Sequence, residues 1–316
     1  MNLFNGNKNN LRFKFSFLTC MVLVALLFNF ANCNNNPQNT GPKYADSLPE
    51  NTIPVYHLAI HALHNPVKMI EVYTPLIEYL NENIREAKFV LETSKDYSDF
   101  EKKYESRLPE ILLPNPWQTI QAMEVGYVVI AMAGEPKDFK GIFLVRKDSY
   151  IKNPIDLKGK KISYPSATAL AACIMPQYFL YKNGVDVNKD ITNLYVGSQE
   201  SAIMNVYLKI SDAGATWPQP WRAFQKEHPV EASQLRLIWE TETLINNSIM
   251  VRDNLPDVIK TKIQHSLINL VKTEQGKLIL QKMEIARFLF AENKDYDTIR
   301  TYISEFEKNV RLVKTK

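Results

Sequence analysis

GIFLVRKDSYIKNP at residues 141–154 and NSIMVRDNLPDV at 247–258 are two copies of one local pattern. Each is a short apolar run that ends in Val-Arg, meets an acidic turn and hands over to a new element. Runs of this length, rich in β-branched and aromatic residues and bounded by turn residues, read as buried strands. Between the two copies the chain has its own strand and helix set: KKISYP (160–165), a helix over 168–183, NLYVG (193–197), a helix over 198–210, and LRLIWET (235–241). An α/β unit inserted between two like strands predicts two lobes with a two-strand hinge at 141–147 and 246–252.

The stretch upstream repeats the alternation. VYHLAI (55–60), KFVLETS (88–94), EILLP (110–114) and YVVIAMA (127–133) read as strands. A helix over 67–84 carries Ile70, Tyr73, Ile77, Leu80 and Ile84 on one stripe, another starts at Ser98, and a third opens at Pro116. Short apolar strands separated by amphipathic helices are what a parallel sheet covered on both faces requires. After Asp253 the pattern is helical to the end, over 258–273, 275–284 and 296–312. The expected lobes are 52–143 with 247–316, and 144–246.

The N-terminus is of another kind. A polar, basic opening precedes FSFLTCMVLVALLF (15–28), which is shorter than the roughly 20 residues a membrane span needs. With Phe30-Ala31-Asn32-Cys33 after it, this resembles a bacterial lipoprotein signal over 1–33, with Cys33 as the lipid-bearing first residue of the exported chain. Asn32 and Phe30 depart from the usual residues before such a cysteine. Residues 34–51, rich in Asn and Pro, read as a tether. The expected location is the cell envelope, with the membrane reached through the anchor.

Composition excludes several classes. The 316 residues carry a net charge of +4, and Lys8, Arg12 and Lys14 of the signal supply three of those charges. No basic stripe for nucleic acid remains. Of three cysteines, Cys20 and Cys33 belong to the signal, and Cys173 lies in an apolar helical stretch, so no disulfide framework is available. Cys173 reads as a small buried hydrophobe. His57, His61 and His64 lack a fourth ligand type nearby, so no metal and no cofactor is expected. No Ser-His-Asp pattern or paired carboxylates mark an enzyme; Glu200 and Asp212 read as helix-start and turn residues.

From about Val55 to Tyr302 the chain resembles the phosphate, phosphite and phosphonate-binding receptors of ABC importers. The resemblance is carried by YTPLIEYLNENI (73–84), PNPWQTIQA (114–122), GIFLVRKDSYIKNPIDLKGKKISYP (141–165), FLYKNGVDVNKDI (179–191), VGSQESAIMNVYLKISDAGA (196–215) and LRLIWETETLINNSIMVRDNLP (235–256). It implies a type II periplasmic-binding fold, two α/β lobes with ligand in the cleft, and a monomeric receptor that presents a small anionic organic ligand to an ABC permease.

The resemblance also implies site residues. The anion loop corresponds to Tyr164-Pro165-Ser166-Ala167-Thr168-Ala169-Leu170, where N–H groups and hydroxyls at a helix start hold an oxyanion. Ala169 and Leu170 stand where a small Ser-Gly end is usual. Ser166 or Thr168 serving only as a helix N-cap is the alternative. Trp117 replaces a tyrosine after Asn115-Pro116, and Gln199 replaces a histidine. Trp217 is expected as a ligand wall, and Trp221 as packing. Trp117, Tyr164 and Trp217 together would form an aromatic box that favours an organic ligand over inorganic phosphate. His61 and His64 follow the first strand, at the sheet edge where α/β folds bind ligands, and His61 is expected to touch the ligand. The alternative role is a sensor with the same clamp, whose closed form engages a signalling partner.

Overall fold

The computed structural model describes residues 53–313; the signal, Cys33 and the tether lie outside the described residues. Among the described residues, eleven strands form two sheets. The first is built from β1 (Val55–Ile60), β2 (Lys88–Glu92), β3 (Ile111–Leu113), β4 (Tyr127–Ala133), β10 (Ser248–Arg252) and β11 (Phe288–Phe290), in the order β11-β4-β10-β3-β1-β2. The second holds β5 (Ile142–Arg146), β6 (Lys161–Tyr164), β7 (Thr192–Tyr195), β8 (Ala213–Thr216) and β9 (Leu235–Glu240), in the order β7-β6-β8-β5-β9.

Both sheets are mixed, for the same reason. β1 runs parallel to β2 and β3, and β6 runs parallel to β7 and β8. The antiparallel strand in the middle of each sheet is the first one made after the chain arrives from the other. β10 lies antiparallel between β3 and β4, and β5 lies antiparallel between β8 and β9. The echo between 141–154 and 247–258 is therefore two solutions to one task. Each strand is flanked on both sides, and Phe143, Val145, Ile249 and Val251 have no exposed surface.

That placement moves the crossings. The expected hinge strands lie inside the sheets, where ladders on both edges hold them. The chain changes sheets just before them, over 134–141 and 241–247. The two crossings run side by side: Leu244 N donates to Phe139 O at 3.0 Å, Thr241 N to Gly141 O at 2.9 Å, and Asn246 Nδ2 to Glu135 O at 2.9 Å. A third link was not expected. The C-terminal helix packs Tyr302 and Phe306 on Tyr178, with ring centroids 5.4 and 6.2 Å apart, while Arg300 pairs with Glu124 at 2.8 Å. It thus touches both sheet-bearing halves.

Helix starts position the site. The helices longer than one turn are α1 (Pro66–Asn83), α2 (Tyr97–Glu105), α3 (Pro116–Glu124), α4 (Met175–Lys182), α5 (Gln199–Tyr207), α6 (Pro218–Glu227), α7 (Asp257–Asn269), α8 (Glu274–Lys282) and α9 (Asp297–Asn309). Asn65, Asp96, Asn115 and Ser198 cap α1, α2, α3 and α5 through their side chains. A π-helical turn at Leu170–Ile174 leads into α4. Two strands escaped the sequence reading. β8 is AGAT, too small to show a strand pattern, because a Cβ on Gly214 would come 2.6 Å from Ala202 O of α5. β11 adds an antiparallel edge beside β4 within a region read as wholly helical. Among the described residues, no helix is long and apolar enough to cross a membrane.

Candidate functional site

The carboxyl ends of β1, β3, β6 and β8 meet where the two crossings pass, the place at which open α/β sheets gather ligands. A small cavity of about 10 Å³ lies there, lined by residues from both halves. From the first half come His61, Tyr97 and Asn115, and from the second come 169–172, Gln199 and Trp217. Phe139 and Asn247, one on each crossing, complete the wall. Outside it, and sharing Tyr97, a groove of about 540 Å³ is lined by Glu101, Ser166, Ala167, Thr168, Tyr195 and Arg311, among others.

The cavity wall is neutral. His61 donates from Nδ1 to Leu113 O at 2.9 Å, so its other ring nitrogen is an acceptor. Burial pushes its pKa down to about 4, and His64 likewise to about 4. Gln199 Nε2 donates to the Tyr97 hydroxyl at 3.1 Å, and Gln199 Oε1 accepts from Thr216 at 2.8 Å. This amide is thus locked in one orientation. Burial raises the Tyr97 phenol, which keeps its proton. Asn247, 3% exposed, has an Oδ1 with no hydrogen-bond partner. A buried unpaired acceptor is costly and is relieved by a donor from water or ligand.

The π turn is capped by Ala169, which has no side chain to serve its amides. The first turn of any helix leaves N–H groups without intrahelical partners, and Leu170, Ala171 and Ala172 of this turn line the cavity. Ser166 does not cap the helix. Its Oγ accepts from Thr168 N at 3.3 Å and lies 3.0 Å from Thr168 Oγ1, so it serves the preceding turn.

One carboxylate stands beside this loop. Glu101, 3% exposed, accepts from Thr168 Oγ1 at 2.7 Å and from Gln118 Nε2 at 3.1 Å. Burial raises its carboxyl above the ordinary range, against those two bonds. Asn115 Nδ2 donates to Thr168 O at 3.2 Å, a second bridge across the same contact. From the C-terminal tail, Arg311 donates to Ala167 O at 2.8 Å and to Gln177 Oε1 at 2.8 Å, holding the far side of the loop.

The structure thus divides the expected site residues. His61, Ala169, Gln199 and Trp217 share the cavity, while Ser166, Ala167 and Thr168 line the groove. Trp117 and Tyr164 line neither. Trp117, at the second position of α3, is buried in the core, and Tyr164 is fully buried with its ring 6.0 Å from that of Tyr195. The expected aromatic box is therefore not assembled; Trp217 meets Phe139 instead, at 5.5 Å. His57 points elsewhere, to Glu110 at 3.3 Å. Cys173 is buried, and its thiol is pushed up to about 11. Tyr97, Glu101, Phe139, Asn247 and Arg311 were not anticipated. Asp96, whose side chain caps the helix that opens at Tyr97, was the signal that could have placed Tyr97; nothing local marks a helical glutamate as buried.

A wider depression of about 590 Å³, lined by Arg146, Asp148, Lys160, Lys209 and Asp212 among others, is built from the second half alone. Its charges answer one another, with Arg146 and Lys209 on Asp148 and Lys160 on Asp212. It lacks the two-sided wall of the cleft.

Comparison with known proteins agrees with the fold. A 185-residue stretch is 29% identical to the Probable ABC transporter phosphite binding protein PhnD1 of Prochlorococcus marinus, covering 54% of this chain and 62% of that protein. The Phosphonates-binding periplasmic protein of Escherichia coli is 25% identical over 166 residues, 50% of this chain and 48% of its own length. The chain thus matches about half to three fifths of the length of these relatives. Among solved structures, PhnD1 of Prochlorococcus marinus in complex with methylphosphonate superposes with a TM-score of 0.74 at 22% identity, covering 81% of this chain and all of that one. A binding-protein component of an ABC phosphonate transporter from Pseudomonas aeruginosa gives 0.75 at 17% identity, covering 82% and 88%. These are type II periplasmic-binding folds, and this chain shares that architecture. The profile of the family described as "ABC transporter, phosphonate, periplasmic substrate-binding protein" matches residues 58–296, and the chain belongs to that family.

Proposed function

We propose that this protein is an extracytoplasmic lipoprotein, anchored through Cys33, that binds a small phosphonate-like or other organic anion between its two halves and delivers it to an ABC permease. One observation carries the reading: a cavity at the sheet ends is lined by the helix start at Leu170, Ala171 and Ala172 and by Asn247, whose Oδ1 has no partner. The amides and the helix dipole favour an acceptor or anionic end on the ligand. Asn247 favours a donor. Phe139, Trp217 and Leu170 suit a small apolar substituent between them.

The residues proposed to touch ligand are His61, Tyr97, Ala169, Gln199, Trp217 and Asn247. At about 10 Å³ the cavity holds one water at most, so the ligand enters a form with the halves further apart and is enclosed on closure. The crossings at 134–141 and 241–247 are the segments proposed to bend. Ligand contacts on both halves then shift the population toward the closed form. The neutral wall and the high thiol of Cys173 support binding without catalysis.

Calorimetry with methylphosphonate and a panel of organic anions, paired with small-angle scattering, tests the reading. The expected result is saturable binding accompanied by a smaller scattering radius. Absence of both across the panel would count decisively against it.

A further inference from the structure

We infer that Glu101 is a specificity-determining residue of the cleft: its carboxylate takes the Thr168 hydroxyl that the loop would otherwise offer to a ligand oxygen, so a fully ionised phosphoryl group is accepted only together with a proton at Glu101. The inference rests on the phosphonate reading above. Glu101 belongs to α2 in the first half, and Thr168 to the loop of the second, yet Oε1 and Oγ1 are 2.7 Å apart. Gln118, the third residue of α3, donates to the same oxygen at 3.1 Å. A carboxylate oxygen of the chain itself therefore sits between the two helix starts.

The remaining loop groups leave little in reserve. Ser166 Oγ is engaged with Thr168, and Ala167 and Ala169 have no hydroxyl. An anion drawn to the amides that follow Thr168 meets a second anion beside it, in a setting where like charges repel strongly.

The neighbouring groups do not neutralise that charge. Asp96 and Glu105 add negative charge around Glu101. Arg311 is the cation lining the groove, and its guanidinium is committed to Ala167 O, Gln177 and Cys173. His61 is neutral, and Tyr97 and Tyr104 retain their protons. Burial already disfavours the ionised form of Glu101. On binding a dianion, the carboxylate takes one proton from water and becomes a neutral acid that no longer repels the ligand.

The test is methylphosphonate binding by calorimetry at about pH 9, well above the second ionisation of a phosphoryl group, in two buffers of different ionisation enthalpy. The wild-type protein is expected to take up close to one proton more per ligand than Glu101→Gln. Glu101→Gln, which keeps the hydrogen-bond geometry and removes the charge, is expected to bind at least about tenfold tighter, or about 1.4 kcal/mol. Glu101→Ala is expected to shift affinity the same way. Equal affinity and equal proton uptake in wild type and Glu101→Gln overturn the role of Glu101 and leave the phosphonate reading standing. Failure of all three proteins to bind overturns the phosphonate reading and this inference with it. Proton uptake below roughly half a proton in the wild type alone also overturns the inference, whatever the fold of the variants.

Discussion

Two helix starts face each other across the cleft, and they solve the same problem in opposite ways. At α3, Asn115 accepts from Gln118 N at 3.1 Å while Gln118 Oε1 accepts from Asn115 N at 3.2 Å. That reciprocal box satisfies amides that the first turn leaves open. At Leu170–Ile174 the cap is Ala169, which offers nothing, and the helix opens as a π turn. One start is complete within its own sequence; the other has no side-chain cap. On the proposed function, the first is a structural helix start and the second a binding one. Pro116 and the Asn115 cap hold the α3 start rigid, so that Asn115 Nδ2 and Gln118 Nε2 can reach across to Thr168 and to Glu101.

The largest break in this comparison is expected at Gly141. A Cβ there would lie 2.6 Å from Ala171 O and 2.8 Å from the Pro176 ring, so the first crossing packs directly against the open start. Gly141→Ala must displace the π turn and should cost about 3 kcal/mol, read by urea denaturation. A loss below about 0.5 kcal/mol would mean the open start is not held by that packing.

Next comes Thr168→Val, which keeps the shape of the side chain and removes the donor to Glu101. A buried carboxylate then loses one of its two bonds, at about 2 kcal/mol. The same variant in a Glu101→Gln background should lose less, and an undiminished loss in the double mutant would show that the two side chains are not coupled. Asn115→Ala should cost about 1 kcal/mol as a lost cap, in the same denaturation assay, because the start of α3 depends on that side chain.

The smallest effect is a pH dependence. Burial raises the Glu101 carboxyl above its ordinary 4.5 in the folded chain. The folded state then binds a proton over a range where the unfolded chain has released it, so stability falls as pH rises through that range. The contribution is full below the unfolded value and lost above the folded one. Wild type minus Glu101→Gln, followed by denaturation from about pH 4 upward, should decline with pH. A flat difference would show that the hydrogen bonds from Thr168 and Gln118 offset the burial.

Much of this fold was legible because the signals were local. Asn-Pro starts, the unbroken apolar run of β4 and the paired Val-Arg strands mark elements with few alternatives. The position of the crossings was less legible, since β5 and β10 read as hinge strands until their ladders on both sides are known. β8 escaped because its residues are small for a tertiary reason: Gly214 must clear the backbone of α5. The site was legible in place but not in membership. His61, Ala169, Gln199 and Trp217 follow strand ends and line one cavity. Trp117 and Tyr164 do not, because an aromatic at a helix start or strand end can turn into the core as readily as into the cleft. Glu101 carried no signal at all, since burial of a helical glutamate depends on Thr168, a partner 67 residues away.

The account as a whole turns on where the ligand sits, which a crystal structure of the methylphosphonate complex measures directly. The predicted result is a phosphoryl group within about 3 Å of the amides that open the helix at Leu170, with Trp217 and Asn247 against the rest of the molecule and both sheets in contact with it. Methylphosphonate bound to one half alone, as in the charged depression around Arg146 and Lys160, would contradict it.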